Sequence, residues 1–495
     1  MYKNQEKGIE NLKKLNLWRR YKSTLSFILY VALKKSFPGN GLSIQHSMAK
    51  GFYFLLKKDL SHANLLKIEK MMKKIIAGDL PIKKAIYSKR EALKLFRNSG
   101  LQDKITLLEN IRKQRIAVYS LLDFYDMYAM SPFESTGMVR IFLLEKFPPG
   151  YIMMFPFWQD LSKLPRYIPQ PKLARIFNEY EEWANILGIK NVGQLNYAIK
   201  KGKESKIVKV TEALHEKKMV YIADRIVKEK KKIILIAGPS SAGKTTFTKR
   251  LAIQLLVNGI KPLIISADDY FLPHSQTPKD EFGNLNFESI NAVDVSLLNQ
   301  HLLKIINGKK VNMPKFNFLT GRINKGKTIF SPKDGVILLE GIHCLNKAFT
   351  YKIPESLKFK IYISALTQLN IDNHNRISTT DTRMLRRIVR DTYFRGYIIR
   401  KVLQHWSSVR NGEEKNIYPY QEEADEMFNS ALIYEPAILK KFCLPILKRI
   451  KKSNPEYEEA KRLIYFLNLF YGFNERSVPS NSILREFIGS SSFVY

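Results

Sequence analysis

Apolar residues recur along this chain with two periods, and the alternation between them outlines its elements. Over residues 11–35, 65–76, 173–187 and 208–227 they return at helical spacing. Short β-branched runs at 42–44, 233–237, 262–267, 336–341 and 359–364 read as strands. The runs at 262–267 and 336–341 are apolar up to Ser266 and Glu340, which predicts strands buried on both faces. Ser88-Lys89-Arg90-Glu91 has the form of a capping box that opens another helix, and Phe37-Pro38-Gly39 is a break. After residue 230, strands alternate with helices, so we expect an α/β domain built on a doubly wound parallel sheet. The mixed order before it predicts an α+β domain. Expected boundaries are 1–205 for that domain with connecting helices, 206–229 for a linker helix, 230–455 for the second domain, and 456–495 for a C-terminal helical tail.

Composition narrows the class. A length of 495 residues exceeds what one core usually organises. The longest apolar stretch, 27–33, stops at Lys34-Lys35 and is too short to span a bilayer. No apolar signal core follows Met1, so we expect a cytoplasmic location without membrane association. Two cysteines, Cys344 and Cys443, exclude a disulfide framework. The formal charge of +37, from 82 Lys and Arg against 45 Asp and Glu, would attract polyanions. Because the basic residues are spread along the chain, dedicated nucleic-acid binding is possible but not favoured. An aromatic, proline-rich stretch at 151–165 is either a base-stacking surface or interior packing, and packing is the commoner outcome.

One stretch carries chemistry by itself. Gly238-Pro239-Ser240-Ser241-Ala242-Gly243-Lys244-Thr245-Thr246 fits the phosphate-loop pattern between a predicted strand and a predicted helix. Glycines 238 and 243 allow the backbone to turn its N–H groups inward, and the following helix adds its positive N-terminal end. Lys244 would reach the β- and γ-phosphates of ATP, and Thr245 would hold Mg²⁺. Asp268 and Asp269 end the next strand, where open α/β sheets place their ligands, and Glu340 ends a third. One Asp is a candidate base for an attacking hydroxyl, the other a candidate for positioning the metal, and Glu340 suits the metal shell. A helix N-cap is the alternative for either Asp. Arg383, Arg386, Arg387 and Arg390 share one helical face. A guanine-reading Asn-Lys-x-Asp is absent, which argues against a switch GTPase.

These landmarks, with Asp268-Asp269-Tyr270-Phe271, Pro314-Lys315-Phe316-Asn317-Phe318, Glu340-Gly341-Ile342 and 383–391, resemble the uridine kinase and phosphoribulokinase family. The resemblance implies Asp268 as catalytic base, with Tyr270, Phe316 and Asn317 near the acceptor, and we expect Asp269 and Arg322 to contact the acceptor as well. It also implies that the four arginines close over the triphosphate, Arg387 and Arg390 beside the transferred group and Arg383 and Arg386 on the nucleotide. Where the uridine kinases carry Tyr-Asp-Phe followed by His, this chain has Phe316-Asn317-Phe318 and then Gly321-Arg322. The implied function is transfer of the γ-phosphoryl of ATP to a nucleoside hydroxyl, uridine or cytidine first. Alternatives are a sugar or sugar-phosphate kinase, or an RNA-associated NTP-binding protein. The N-terminal pieces Lys34-Lys35-Ser36-Phe37-Pro38-Gly39, Gly51-Phe52-Tyr53, Asp79-Leu80-Pro81-Ile82 and Ser135-Thr136-Gly137 resemble the editing domain of threonyl-tRNA synthetase. At that family's metal-binding positions stand Lys22, Ser26, Tyr128 and Pro132, so its metal chemistry is not expected here.

Overall fold

The structure is a computed structural model; it describes residues 2–48, 50–280, 283–318, 320–330, 335–367 and 369–494, with side chains from residue 10 onward. The N-terminal half opens with α1 (Tyr2–Ser36), β1 (Leu42–Met48), β2 (Gly51–Leu56), α2 (His62–Ala77), β3 (Lys83–Ser88), α3 (Lys89–Asn98) and α4 (Gln102–Glu109). It continues with β4 (Arg115–Leu121), β5 (Phe124–Asp126), β6 (Leu143–Phe147) and β7 (Gly150–Met154). An antiparallel sheet runs β1-β2-β7-β6 and a smaller one β3-β4-β5. The capping box forms as its spacing predicts: Glu91 N donates to Ser88 Oγ while Ser88 N donates to the Glu91 carboxylate.

Residues 27–33 of α1 are buried on every side, which is the fate of a helix apolar all round inside a protein. No helix among the described residues is long and apolar enough to cross a membrane. Phe155, Phe157 and Trp158 are buried, so the aromatic stretch is packing.

Three helices, α5 (Pro171–Leu187), α6 (Val192–Lys200) and α7 (Glu204–Lys228), lead to the second half. Of these α6 escapes the sequence reading, because its nine residues are too few to display a period. Then follow β8 (Ile233–Ala237), α8 (Lys244–Val257), β9 (Pro262–Ser266), α9 (Val295–Ile306), the hairpin β10 (Val311–Asn317) and β11 (Arg322–Ile329), β12 (Val336–Glu340) and β13 (Lys358–Ser364). The chain closes with α10 (Thr379–Phe394), α11 (Ile399–Asn416), β14 (Glu426–Asn429), α12 (Glu435–Leu447), α13 (Tyr457–Leu467) and α14 (Arg485–Ile488).

The main sheet is parallel throughout, in the order β14-β13-β8-β12-β9. Alternate residues of β8 enter different cores: Ile233 and Leu235 face one layer of helices, Ile234 and Ile236 the other. That is the doubly wound arrangement. The expectation that 262–267 forms a strand buried on both faces needs correction, since β9 is the edge of the sheet and Ile264 is 42% exposed.

The two halves share one core. Residues of α1, α2 and α4 pack in the same apolar cluster as Leu385, Trp406, Ile438 and Leu463. At its rim Arg19 of α1 grips Glu459 of α13 through two guanidinium nitrogens, at 2.5 and 3.1 Å.

Candidate active site

The cradle at 238–246 joins β8 to α8 at the centre of the sheet, where strand order reverses and ligands collect. Gly243 has φ +86°, which a side chain would strain. Gly238 is required for a different reason: a Cβ there would meet the carbonyl oxygen of Ile363 at 2.0 Å. Lys244 Nζ donates to the carbonyls of Gly238 and Pro239, at 3.0 and 3.3 Å. Thr245 Oγ1 donates to Glu340 Oε1 at 3.1 Å, which brings together two of the residues expected around a metal. Thr246, from N and Oγ1, donates to Glu486 of α14 at 3.2 and 2.7 Å. Ile483 packs against Gly243. The C-terminal segment thus braces the cradle, a contact the sequence gave no sign of.

Three acidic side chains crowd in front of Lys244. Burial lifts Asp268 above the ordinary carboxylate range, opposed by Lys244. Glu340 is pushed up to about 7 by burial and by the charge of Asp268. Glu288 is likewise pushed up to about 7, chiefly by burial and then by Glu413, and its Oε2 is buried without a hydrogen-bond partner. Like charges held together out of water favour their protonated forms unless a cation joins them. Glu288 was missed in the sequence because it lies in a loop after Phe287 with no strand end to mark it. Packing reveals it, since Gly412 of α11 leaves the space its side chain fills. Asp269 points elsewhere, forming an ion pair with Lys315 of β10 at 3.0 Å. Its expected place beside Thr245 and Glu340 is therefore not what the fold shows.

Helix α10 divides its arginines. Arg383 pairs with Glu413 of α11 and donates to the carbonyl of Ser240 at 3.1 Å. Arg386 pairs with Glu435 at 2.6 Å and donates to the carbonyls of Ser241 and Ala242, at 3.4 Å each. Both are wholly buried. They brace the cradle through its carbonyls, so the expectation that all four arginines close over phosphates is corrected for these two. Arg387 and Arg390 remain partly open: Arg387 Nη1 donates to Ser240 Oγ at 3.3 Å, and Arg390 Nε to Asp391 at 2.8 Å. The acidic stretch from Glu413 onward is structural, with Glu422 accepting from the N–H groups of Lys172 and Leu173 at the start of α5.

On the acceptor side Tyr270 is also corrected. It is 1% exposed, with its hydroxyl 3.1 Å from His301 Nδ1, and belongs to the core. Phe271, Phe287, Phe316 and Phe318 form a cluster of edge-to-face and tilted rings with centroids 4.9 to 6.2 Å apart. Phe316 is buried and Phe318 is half exposed. Asn317 Oδ1 accepts from Thr320 N at 3.1 Å to shape the hairpin turn, and Arg322 is exposed at the start of β11. An imidazole does reach this hairpin: His274 N donates to the Gly321 carbonyl at 3.0 Å, and its ring lies beside Phe287 and Phe316. Gly321, at φ +65°, makes room for it.

Of the four N-terminal positions where the editing family binds metal, Lys22, Ser26 and Tyr128 line one cleft. Pro132 instead offers its carbonyl to Arg20 at 3.1 Å. Among the described residues no group of three or more His, Cys, Asp or Glu is placed to hold a metal ion.

The Phosphoribulokinase / Uridine kinase family profile matches residues 233–432, the span from β8 to just before α12. A uridine kinase of Staphylococcus epidermidis is 32% identical over 39% of this chain and 84% of its own. One from Deinococcus deserti is 27% identical over 42% and 91%, and one from Halobacterium salinarum 29% over 38% and 76%. A solved structure described as a possible uridine kinase from Bacillus stearothermophilus aligns over 43% of this chain and 98% of its own, at 18% identity and a TM-score of 0.30. Cradle and strand-end carboxylates agree with the family profile and the related sequences, and the chain belongs to the phosphoribulokinase and uridine kinase family of P-loop phosphotransferases acting on a hydroxyl group.

Proposed function

We propose that this protein transfers the γ-phosphoryl group of ATP to the 5′-hydroxyl of a nucleoside, uridine or cytidine in the first place. The observation that carries this reading is the gathering of Asp268, Glu288 and Glu340, all raised by burial, around Lys244 of the phosphate cradle, with an aromatic cluster following Asp268 along the chain. The uridine kinases it resembles are named for such an acceptor. The residues fit ATP with Mg²⁺: raised carboxylates beside the Thr245 hydroxyl are what a dication would relieve. Thr245 and Glu340 would hold the ion, which neutralises charge on the phosphates when bound.

The chain's own groups do the rest. Backbone N–H groups of the cradle bind phosphate oxygens, and Lys244 leaves the carbonyls of Gly238 and Pro239 to join them. Asp268 accepts the proton of the attacking hydroxyl as the new O–P bond forms, and the bond to the departing ADP oxygen breaks. Arg387 and Arg390 take up charge on the transferred group. Phe318 and its neighbours stack on the base, His274 offers a ring nitrogen beside them, and Glu288 accepts from a sugar hydroxyl. The kinase unit runs from residue 230 and includes the tail beyond 455.

ADP release measured across nucleosides, sugars and sugar phosphates tests this reading. A pyrimidine nucleoside is expected to give the highest kcat/KM. Equal ADP release with no acceptor, or a clear preference for a sugar phosphate, overturns it.

A further inference from the structure

A second cleft lies where α1 meets the start of α10, and its charges do not balance. It measures about 930 Å³ including its open mouth, with apolar walls from Trp18, Phe52, Tyr128 and Phe466. Arg19, Arg410 and Arg462 reach it already paired, with Glu459, Glu414 and Asp381 respectively. Lys22 and Arg376 make no ion pair among the described residues; the Asp381 carboxylate acts on both but is held by Arg462. Lys22 Nζ sits 3.7 Å from the centre of the Trp18 ring, and Arg376 Nε is buried without a hydrogen bond. Burial, then the charges of Arg376 and Arg19, hold the Lys22 amine well below its ordinary range. Burial brings Arg376 down to about 10.

Neutral donors converge on the same space. The Ser26 hydroxyl, in a residue only 3% exposed, lines the cleft. Ser378 is the N-cap of α10, yet its side chain makes no capping bond, and Ser378 and Thr380 both line the cleft. A sixteen-residue helix therefore turns an end without a side-chain cap, with Asp381 in its first turn, toward Lys22, Arg376 and Ser26. Nothing in the kinase reading uses these groups.

We propose that this cleft binds a small phosphate monoester with a flat organic group, of the mononucleotide class. Lys22, Arg376, Ser26 and the first turn of α10 hold the phosphate, and Trp18 and Phe466 cover the organic part. Because α10 carries Arg383 and Arg386 onward to the cradle carbonyls, occupancy would be felt at the kinase centre through one helix.

The test uses the full-length chain carrying Lys244→Ala, which weakens phosphate binding at the cradle. Inorganic phosphate and uridine 5′-monophosphate are titrated by calorimetry. Saturable binding is expected, and a further Lys22→Met or Arg376→Gln change is expected to weaken it tenfold or more. Without ligand, Lys22→Met removes an uncompensated cation and is expected to raise Tm, so a folded variant is available for the comparison. Equal affinity with and without these changes overturns the proposal, as does a fall in Tm on Lys22→Met. Binding of a short single-stranded RNA with no response to either small probe overturns the choice of ligand. Uridine 5′-monophosphate held as product on the acceptor side of the kinase would not respond to Lys22→Met or Arg376→Gln, and inorganic phosphate has no base to hold there, so failure of this proposal and failure of the kinase reading are told apart.

Discussion

The two ends of α10 lie in clefts of opposite imbalance. At the cradle end Asp268, Glu288 and Glu340 stand closer together than Lys244 can neutralise, and two are held near pH 7. At the N-terminal end Lys22 and Arg376 make no ion pair of their own, and the one carboxylate that acts on both, Asp381, is held by Arg462. Charge left uncompensated in partial burial destabilises the empty protein and is relieved by a ligand of the other sign. The first cleft calls for a cation together with phosphates, the second for an anion. Where the same helix needs only rigidity, at Arg383 and Arg386, each cation is matched by a buried carboxylate. Balanced charge marks support, and imbalance marks a site.

The largest expected effect is at the cradle. Lys244→Ala should lower kcat by at least about 10³-fold, because the lost cation acts on charge developing in transfer. Circular dichroism should be unchanged. Full turnover in that variant would break the comparison at its first term.

Asp268→Asn comes next, with an expected loss of roughly 10²-fold in single-turnover phosphorylation and little change in ATP affinity, as for a missing general base. Asp269→Asn should cost far less, since Asp269 is paired with Lys315. The reverse order would move the base to Asp269.

The fully buried arginines and the partly open pair, which share Asp391, should separate cleanly. Arg383→Ala leaves buried Glu413 with only Arg410 at 3.8 Å and the Tyr418 hydroxyl at 3.0 Å, and loss of one partner from a buried pair typically costs about 3–5 kcal/mol. Arg387→Ala should leave stability within about 1 kcal/mol while lowering kcat about 10-fold or more. Urea unfolding and steady-state rates on both variants decide it, and similar stability losses would show that exposure does not divide the helix by role.

A smaller effect tests the carboxylates directly. The Glu340 pKa rises from an ordinary 4.5 to about 7 on folding, so the folded state favours the protonated acid. That stabilisation is full below about pH 4.5 and is lost as pH climbs through 7. Glu340→Gln should therefore raise Tm of the ligand-free protein at pH 8, by on the order of 1–3 kcal/mol in stability, and do little at pH 5. Added Mg²⁺ with ATP should close the gap from the wild-type side. A Tm difference independent of pH would remove the electrostatic argument. Last, metal analysis of the purified chain should find no stoichiometric zinc, since Lys22, Ser26, Tyr128 and Pro132 offer no thiol, imidazole or carboxylate.

Much of the kinase centre was legible in the sequence because its signals are local. The cradle is nine consecutive residues between an apolar run and an amphipathic one, and Asp268 and Glu340 stand at the ends of runs that become β9 and β12. The capping box at Ser88 and the end of α10 before Gly396 are equally short-range. What remained hidden depends on residues far apart in the chain. A shared helical face could not say that Arg383 and Arg386 would turn to Glu413 and Glu435 while Arg387 and Arg390 stayed open. An apolar run could not say that β9 would be an edge, because burial depends on which strand lies alongside. Glu288 gained its place from Gly412, and His274 from Gly321. The second cleft exists only because α1 is packed against the start of α10, which brings Lys22 to Arg376. Sequence by itself determined which backbone could cradle a phosphate and which carboxylates could face it; tertiary structure decided which charges would be matched, since matching depends on distance in space and on burial, and neither is a property of spacing along a chain.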